Sequence, residues 1–216
     1  MILSAGWSGE RSLVQALSAE GTTRCSGRVL RHRTRNPAAH LRQVLRRSTS
    51  REHAHGAVVH PEDLWLANDV EPISFVGDLH ADGIALVVLA RANDTDRGLS
   101  RAVCGRAGEC LPARPVHVDA DKVALFADHA ATTRGWFDSY APDALRVTFE
   151  HDLVEPDARV ATIAAVAGRL GLAAWVPPPP RGLPTAAALW SCVADPSRLR
   201  AELATVLPSD GHPIRG

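Results

Sequence analysis

Seven consecutive residues near the start of the chain, Gly6-Trp7-Ser8-Gly9-Glu10-Arg11-Ser12, combine two glycines, two hydroxyls and a guanidinium directly after the short apolar stretch Ile2-Leu3-Ser4. A helix beginning at such a turn leaves its first backbone N–H groups unpaired and carries partial positive charge at that end. Glycine lets the backbone come close to an anion, so the turn is expected to receive phosphate. Ser8 and Ser12 add hydroxyls, and Arg11 adds a fork of donors. It is not a Walker A loop, since G-x-x-x-x-G-K-[ST] needs a lysine where Arg11 stands, and the spacing here is shorter. Taken alone, the same residues also describe an ordinary strand-to-helix turn.

Metal chemistry is not expected. His53, His55 and His60 lie close in sequence, but no carboxylate accompanies them at a helical offset. Cys25, Cys104, Cys110 and Cys192 contain no C-x-x-C pair, and no Cys/His group has zinc-finger spacing. In a reducing compartment they read as free, partly buried thiols.

The elements that must position the turn alternate. Ile2-Leu3-Ser4 reads as a strand. Leu13, Ala16 and Leu17 recur at helical spacing up to Gly21, a C-terminal stop. The arginine-rich segment that follows reads as loop until Pro37, where Leu41, Val44 and Leu45 share one helical face. Residues 56–59 read as a short buried strand and 61–68 as a helix with proline in its first turn. The continuously apolar run 84–90 predicts a strand covered on both faces. Helices are predicted over 94–107, 119–139 (Val123, Phe126, Ala130 and Phe137 inward) and 155–170 (Val160, Ile163, Ala167 and Leu170 inward), with a strand over 144–149. Such alternation predicts an α/β fold, a P-loop-like three-layer α/β/α sandwich with a mostly parallel central sheet. Residues 1–176 read as one domain. Residues 177–216 read as a proline-rich spacer followed by a helical tail.

Composition sets the class. The chain has 216 residues, 45% hydrophobic and 22% charged, with formal net charge zero, which is the balance of a globular protein. No run approaches the roughly 20 apolar residues of a membrane span, and no basic segment followed by an apolar one opens the chain, so a cytoplasmic location is expected. Nine arginines and no acidic residue fall between Arg24 and Arg51, while Lys122 is the only lysine. This block reads as a solvated basic face or an electropositive rim for anions. No nucleic-acid partner is expected, and a homodimer is compatible with the sequence.

Ser4 to Gly21, SAGWSGERSLVQALSAEG, resembles the 5′-phosphosulfate loop and following helix of bacterial sulfotransferases of the trehalose 2-sulfotransferase-like family. Leu41 to His60 resembles that family's next helix and strand entry, and Leu86 to Ala102, LVVLARANDTDRGLSRA, its strand-Arg-x-x-Asp-x-x-x-x-x-Ser-helix segment. Trp136-Phe137, Arg146 to Glu150, Asp152-Leu153-Val154 and Pro156 resemble its Trp-x-x-x-Phe and Tyr-Glu-Asp-Leu stretch. The resemblance spans residues 2–173 and rests on the order of several short motifs.

The resemblance implies a sulfotransferase that moves a sulfuryl group from PAPS (3′-phosphoadenylyl sulfate) to a hydroxyl of a carbohydrate or secondary metabolite. PAPS would be held by Trp7, Ser8, Gly9, Glu10, Arg11 and Ser12 at the 5′-phosphosulfate, and by Arg91 and Ser100 at the 3′-phosphate. An arginine at a strand end and a serine in the next helix can both face one anion. Glu150 reads as a strand-end carboxylate ordering a loop, and Trp136 as core. The chain departs from the family at three places: Trp7 stands where the family has arginine, no carboxylate occurs between Gly21 and Leu30 (Arg28 falls near the expected glutamate), and the next strand lacks its lysine. Arg11 is the replacement cation. The base is then a histidine, chosen among His32, His55 and His60 with His60 preferred, or else Glu10. Two other readings stay open: a catalytically degenerate binding or scaffold protein, and an NTP-dependent small-molecule kinase, which the absence of a Walker lysine disfavours.

Overall fold

The computed structural model describes residues 1–4, 6, 8–19, 21, 23–46, 54–107, 111–179 and 185–207. They form two compact units, Met1–Ala92 with Thr133–Arg181, and Asn93–Thr132 with Gly182–Gly216.

The first unit is built on a five-stranded sheet, β1 (Ile2–Ser4), β2 (Thr23–Arg28), β3 (Ala54–Val59), β4 (Val87–Ala90) and β5 (Leu145–Thr148), in the order β2-β3-β1-β4-β5. Every strand pair is parallel. Parallel neighbours need crossover connections, and right-handed crossovers place the helix according to the direction in which the chain moves along the sheet. α1 (Glu10–Ser18) carries the chain from β1 out to β2. α2 (Pro37–Arg46), α3 (Pro61–Asn68) and α4 (Pro72–Ala81) carry it back the other way, so α1 takes one face and these three take the other. Leu41, Leu64, Phe75, Val76 and Leu79 of that second set pack in one core with Leu3, Val59 and Val88. α7 (Pro156–Arg169) shares the face of α1: Leu17, Val166 and Leu170 line one cavity, and Trp175 Nε1 donates to the Ala16 carbonyl at 3.0 Å. The unit is a three-layer α/β/α arrangement, with a sheet that is wholly parallel.

In the second unit, α5 (Asp94–Ala107), the first part of α6 (Ala120–Tyr140), α8 (Ala186–Ser191) and α9 (Pro196–Val206) bury Leu99, Val103, Val123, Leu189, Leu199 and Leu203. α5 and α6 meet closely at Gly98, where a Cβ would lie 2.4 Å from the Val123 carbonyl oxygen. The predicted tail is thus two helices that cluster with residues 93–132. No helix among the described residues is long and apolar enough to cross a membrane.

Several elements differ from the sequence expectation for identifiable reasons. β2 falls in the segment read as loop: it is an edge strand of sequence TRCSGR, pairs only with β3 and buries only Thr23 fully, so it has no apolar pattern to read. α4 lies between Asn68 and Ile84, a stretch for which the sequence predicts no element; Glu71 caps it by accepting from the Ile73 and Ser74 amides. β4 begins at Val87 rather than residue 84 because its ladder partner β1 begins at Ile2, opposite Val87. β5 ends at Thr148, and Phe149–Val154 forms a π-helical turn that buries Phe149 and Leu153. In α6 the inward residue near position 126 is Ala127, with Phe126 half-buried. In α7 Val166 is buried while Val160 and Leu170 are only partly so.

Candidate functional site

The chain leaves β1 toward β2 and leaves β4 toward β5, so the order reverses between these two neighbouring central strands. In open α/β sheets a crevice forms outside the carboxyl ends of strands at such a point. The glycine turn follows β1, and Arg91 follows β4.

Within the turn, Gly6 and Gly9 take left-handed backbone conformations, φ 79° and 89°, which admit glycine at little cost. Gly9 is the N-cap of α1, and its carbonyl accepts from Ser12 and Leu13 N–H at 3.0 and 3.1 Å. Ser8 is fully buried; its hydroxyl donates to the Gly6 carbonyl at 3.2 Å. Glu10 folds back beneath the turn. Its Oε1 accepts from Ser4 Oγ at 2.6 Å and its Oε2 from Ser8 N–H at 3.2 Å, while Ser4 Oγ also accepts from Gly6 N–H at 3.1 Å. His60, at the end of β3, places Nε2 3.5 Å from Glu10 Oε1. Burial alone would raise the Glu10 pKa, but the hydrogen bond and charge of His60, then the Ser4 hydroxyl, outweigh it and hold the carboxyl at about 2. The carboxylate is therefore an internal strut of the turn, at the helix end where negative charge is favoured.

With Nε2 directed at Glu10, the other ring nitrogen of His60 faces Gly6: a Cβ there would lie 3.2 Å from Nδ1 and 3.0 Å from Cε1. A carboxylate that accepts from one imidazole nitrogen leaves the opposite nitrogen free to take a proton. His60 is 6% exposed, and its carbonyl accepts the Asp63 N–H at 2.9 Å, which starts α3. Arg28, at the end of β2, binds Asp63 through both Nε and Nη2. The position near the expected family glutamate thus holds one end of an ion pair.

On the β4 side the Arg91 side chain is fully buried. It donates to Glu150 Oε1 at 2.9 Å, and its guanidinium lies over the Phe149 ring, 4.5 Å from the centroid. Glu150 Oε2 also accepts the Ala92 N–H at 2.8 Å. Glu150 thereby orders the end of β4 as a strand-end carboxylate. Phe149 packs on the turn as well: a Cβ on Gly9 would lie 2.1 Å from its Cδ2. One aromatic ring joins the glycine turn to the buried arginine.

The structure thus brings Ser8, Gly9, Glu10, Ser12, His60 and Arg91 to the carboxyl edge of one sheet. Arg11 is exposed on the first turn of α1. Trp7 and His53 lie outside the described residues. His32 is exposed, and His55 stands at the start of β3, the opposite edge, with Nδ1 3.3 Å from the Val44 carbonyl oxygen; neither joins the turn. Ser100 belongs to the second unit, buried on α5 with Oγ 3.9 Å from Cys104 Sγ. Trp136 is half-buried and lines an apolar cavity with Leu3, Pro61, Leu64 and Phe137. Cys25, Cys104 and Cys192 are free thiols, and among the described residues no His/Cys/Asp/Glu group could hold a metal ion. The Glu10–His60 pairing is not legible in the sequence, where the two residues are rivals for one role. The only sequence signal for it is an acidic residue at the first helical position.

No protein-family model matches the chain, and no curated protein matches it.

Proposed function

We propose that the chain is a PAPS-dependent sulfotransferase acting on a hydroxyl of a carbohydrate or secondary metabolite. The observation that carries this reading is the His60–Glu10 pair set directly beneath a glycine turn at the reversal point of a parallel sheet. Backbone N–H groups at the start of α1 would hold the 5′-phosphosulfate, with the Ser12 hydroxyl and Arg11 beside them. The acceptor oxygen attacks sulfur, and the bond from sulfur to the bridging phosphate oxygen breaks. Adenosine 3′,5′-bisphosphate (PAP) leaves with that electron pair. His60 Nδ1 takes the hydroxyl proton, and the Glu10 carboxylate stabilises the imidazolium that forms. Arg91 would face the 3′-phosphate; the geometry of the first unit supports only this half of the Arg91/Ser100 pair.

A second reading has its own observation. Ser8 N–H is already taken by Glu10, and Arg91 by Glu150, which suits a sulfotransferase-like binding protein whose donor site no longer turns over. Calorimetry with PAP and mass detection of PAP release from PAPS separate the two. Binding with release supports transfer, and binding without release supports the degenerate protein. No PAP binding at high micromolar concentration removes both.

A further inference from the structure

α1 and α7 lie on the same face of the sheet, and each starts at its carboxyl edge, α1 after β1 and α7 after the π-helical turn that follows β5. Leu17 near the end of α1 shares a cavity with Val166 of α7, and Arg159 precedes Val166 by as many residues as Glu10 precedes Leu17, so Arg159 stands at about the height of Glu10 along two parallel helices. Arg159 occupies the first turn of α7 on its buried face, one helical turn before Ile163. Only 7% of the residue is exposed. Its Nε is shut off from solvent without a hydrogen-bond partner, and no carboxylate among the described residues pairs with it.

Acids nearby in sequence or on this edge are otherwise engaged or turned outward. Glu150 holds Arg91, Asp152 accepts the Thr148 N–H, Glu10 is bound by Ser4 and Ser8, and Glu155 and Asp157 are exposed. A guanidinium stays charged at any working pH, and burying one without a counter-charge is strongly unfavourable. Such a group is compensated when an anion binds beside it.

We infer that Arg159 is the buried cation of the glycine-turn site, and that it takes a non-bridging oxygen of the phosphate or phosphosulfate bound at the start of α1. It supplies from the neighbouring helix the positive charge that the turn lacks at Trp7. This assignment rests on the turn being an anion site, and it holds whether the anion is a nucleotide or a free oxyanion.

Calorimetry on the full chain with PAP and, separately, with inorganic pyrophosphate tests it, using Arg159→Met and Arg159→Lys. Arg159→Met should weaken both ligands by roughly tenfold or more, as expected for loss of a charge-assisted hydrogen bond. Without ligand it should unfold at the same temperature or higher, because an uncompensated charge has been removed. Arg159→Lys, a point charge on a similar stem, should recover part of the affinity. Unchanged affinity in both variants overturns the assignment. So does a loss of thermal stability in Arg159→Met with ligand affinity kept. If Arg159→Met fails to fold, Arg159→Gln takes its place, and affinity for both ligands kept in that neutral variant overturns the assignment. Wild-type protein that binds pyrophosphate but not PAP leaves Arg159 in place and removes the PAPS reading. Wild-type protein that binds neither overturns both.

Discussion

Gly9 and Phe149 meet so closely that a side chain on the glycine is excluded: its Cβ would lie 2.1 Å from Phe149 Cδ2 and 2.6 Å from Cε2. Phe149 is fully buried and carries the Arg91 guanidinium on its face, so it cannot move aside without disturbing the end of β4. Gly9→Ala therefore combines overpacking with a left-handed backbone, and should cost about 2–4 kcal/mol in urea unfolding. Gly21→Ala is the control. Its φ is 77°, but nothing lies within 4 Å of the new Cβ, so only the backbone cost of about 1–2 kcal/mol applies. Equal losses in the two variants would show that Phe149 does not constrain the turn.

Glu150 forms an ion pair with a wholly buried guanidinium. Glu150→Gln removes the charge that faces Arg91 Nη1 and should destabilise the protein by about 1.5–3 kcal/mol, read from the denaturant midpoint. PAP should recover part of that stability if its 3′-phosphate reaches Arg91. Arg91→Ala should weaken PAP by ~1.5–3 kcal/mol. Affinity left unchanged by that substitution would remove Arg91 from the donor site.

Glu10 has its carboxyl held at about 2, against an ordinary value of 4.5. A depressed carboxyl stabilises the fold fully above its unfolded value, and that stability is lost as pH falls from about 4.5 through about 2. In Glu10→Gln the unfolding free energy should fall less steeply across that window than in the native chain. Acid limbs of identical slope would mean that the carboxylate is not buried against His60 and Ser4 in solution.

His60 is the residue on which transfer and mere binding part company. If it takes the acceptor proton, His60→Ala should lower PAP release from PAPS by roughly 10²–10⁴-fold while leaving PAP affinity within a factor of two or so. Full residual turnover would exclude it as the base. A matching loss of PAP affinity would instead make it a support of the turn through Glu10.

Burial sets the reactivity of Cys25. Its thiol is pushed up to about 11 by burial, so little thiolate forms near neutrality. Alkylation at pH 7.5 should be slow in the native protein and speed up on denaturation. Rapid labelling of native Cys25, mapped by mass spectrometry, would contradict the packing of β2 against β3.

Local chemistry carried much of the fold. The glycine turn opening α1, proline at the head of α3, the apolar run ending at Ala90 and the span of α5 are all legible because each depends on neighbours within one or two turns of chain. The parallel sheet follows from the alternation of those elements. β2 was not legible, because an edge strand with one partner needs no apolar alternation. The π-helical turn at Phe149 was not legible either, since the end of a strand depends on where its neighbour stops.

At the site, the glycines and hydroxyls of the turn, the histidine after β3 and the arginine after β4 can be named from residue order alone. How they are used depends on which strands lie side by side. Glu10 and His60 are fifty positions apart and become one pair because β1 and β3 are hydrogen-bonded neighbours. Arg91 acquires Glu150 and Phe149 because β4 lies beside β5. Arg159, which looks in sequence like any helix-surface arginine, is distinguished by burial without a partner. Pairing, burial and compensation of charge arise from strand order and register, and those are fixed when distant segments pack together.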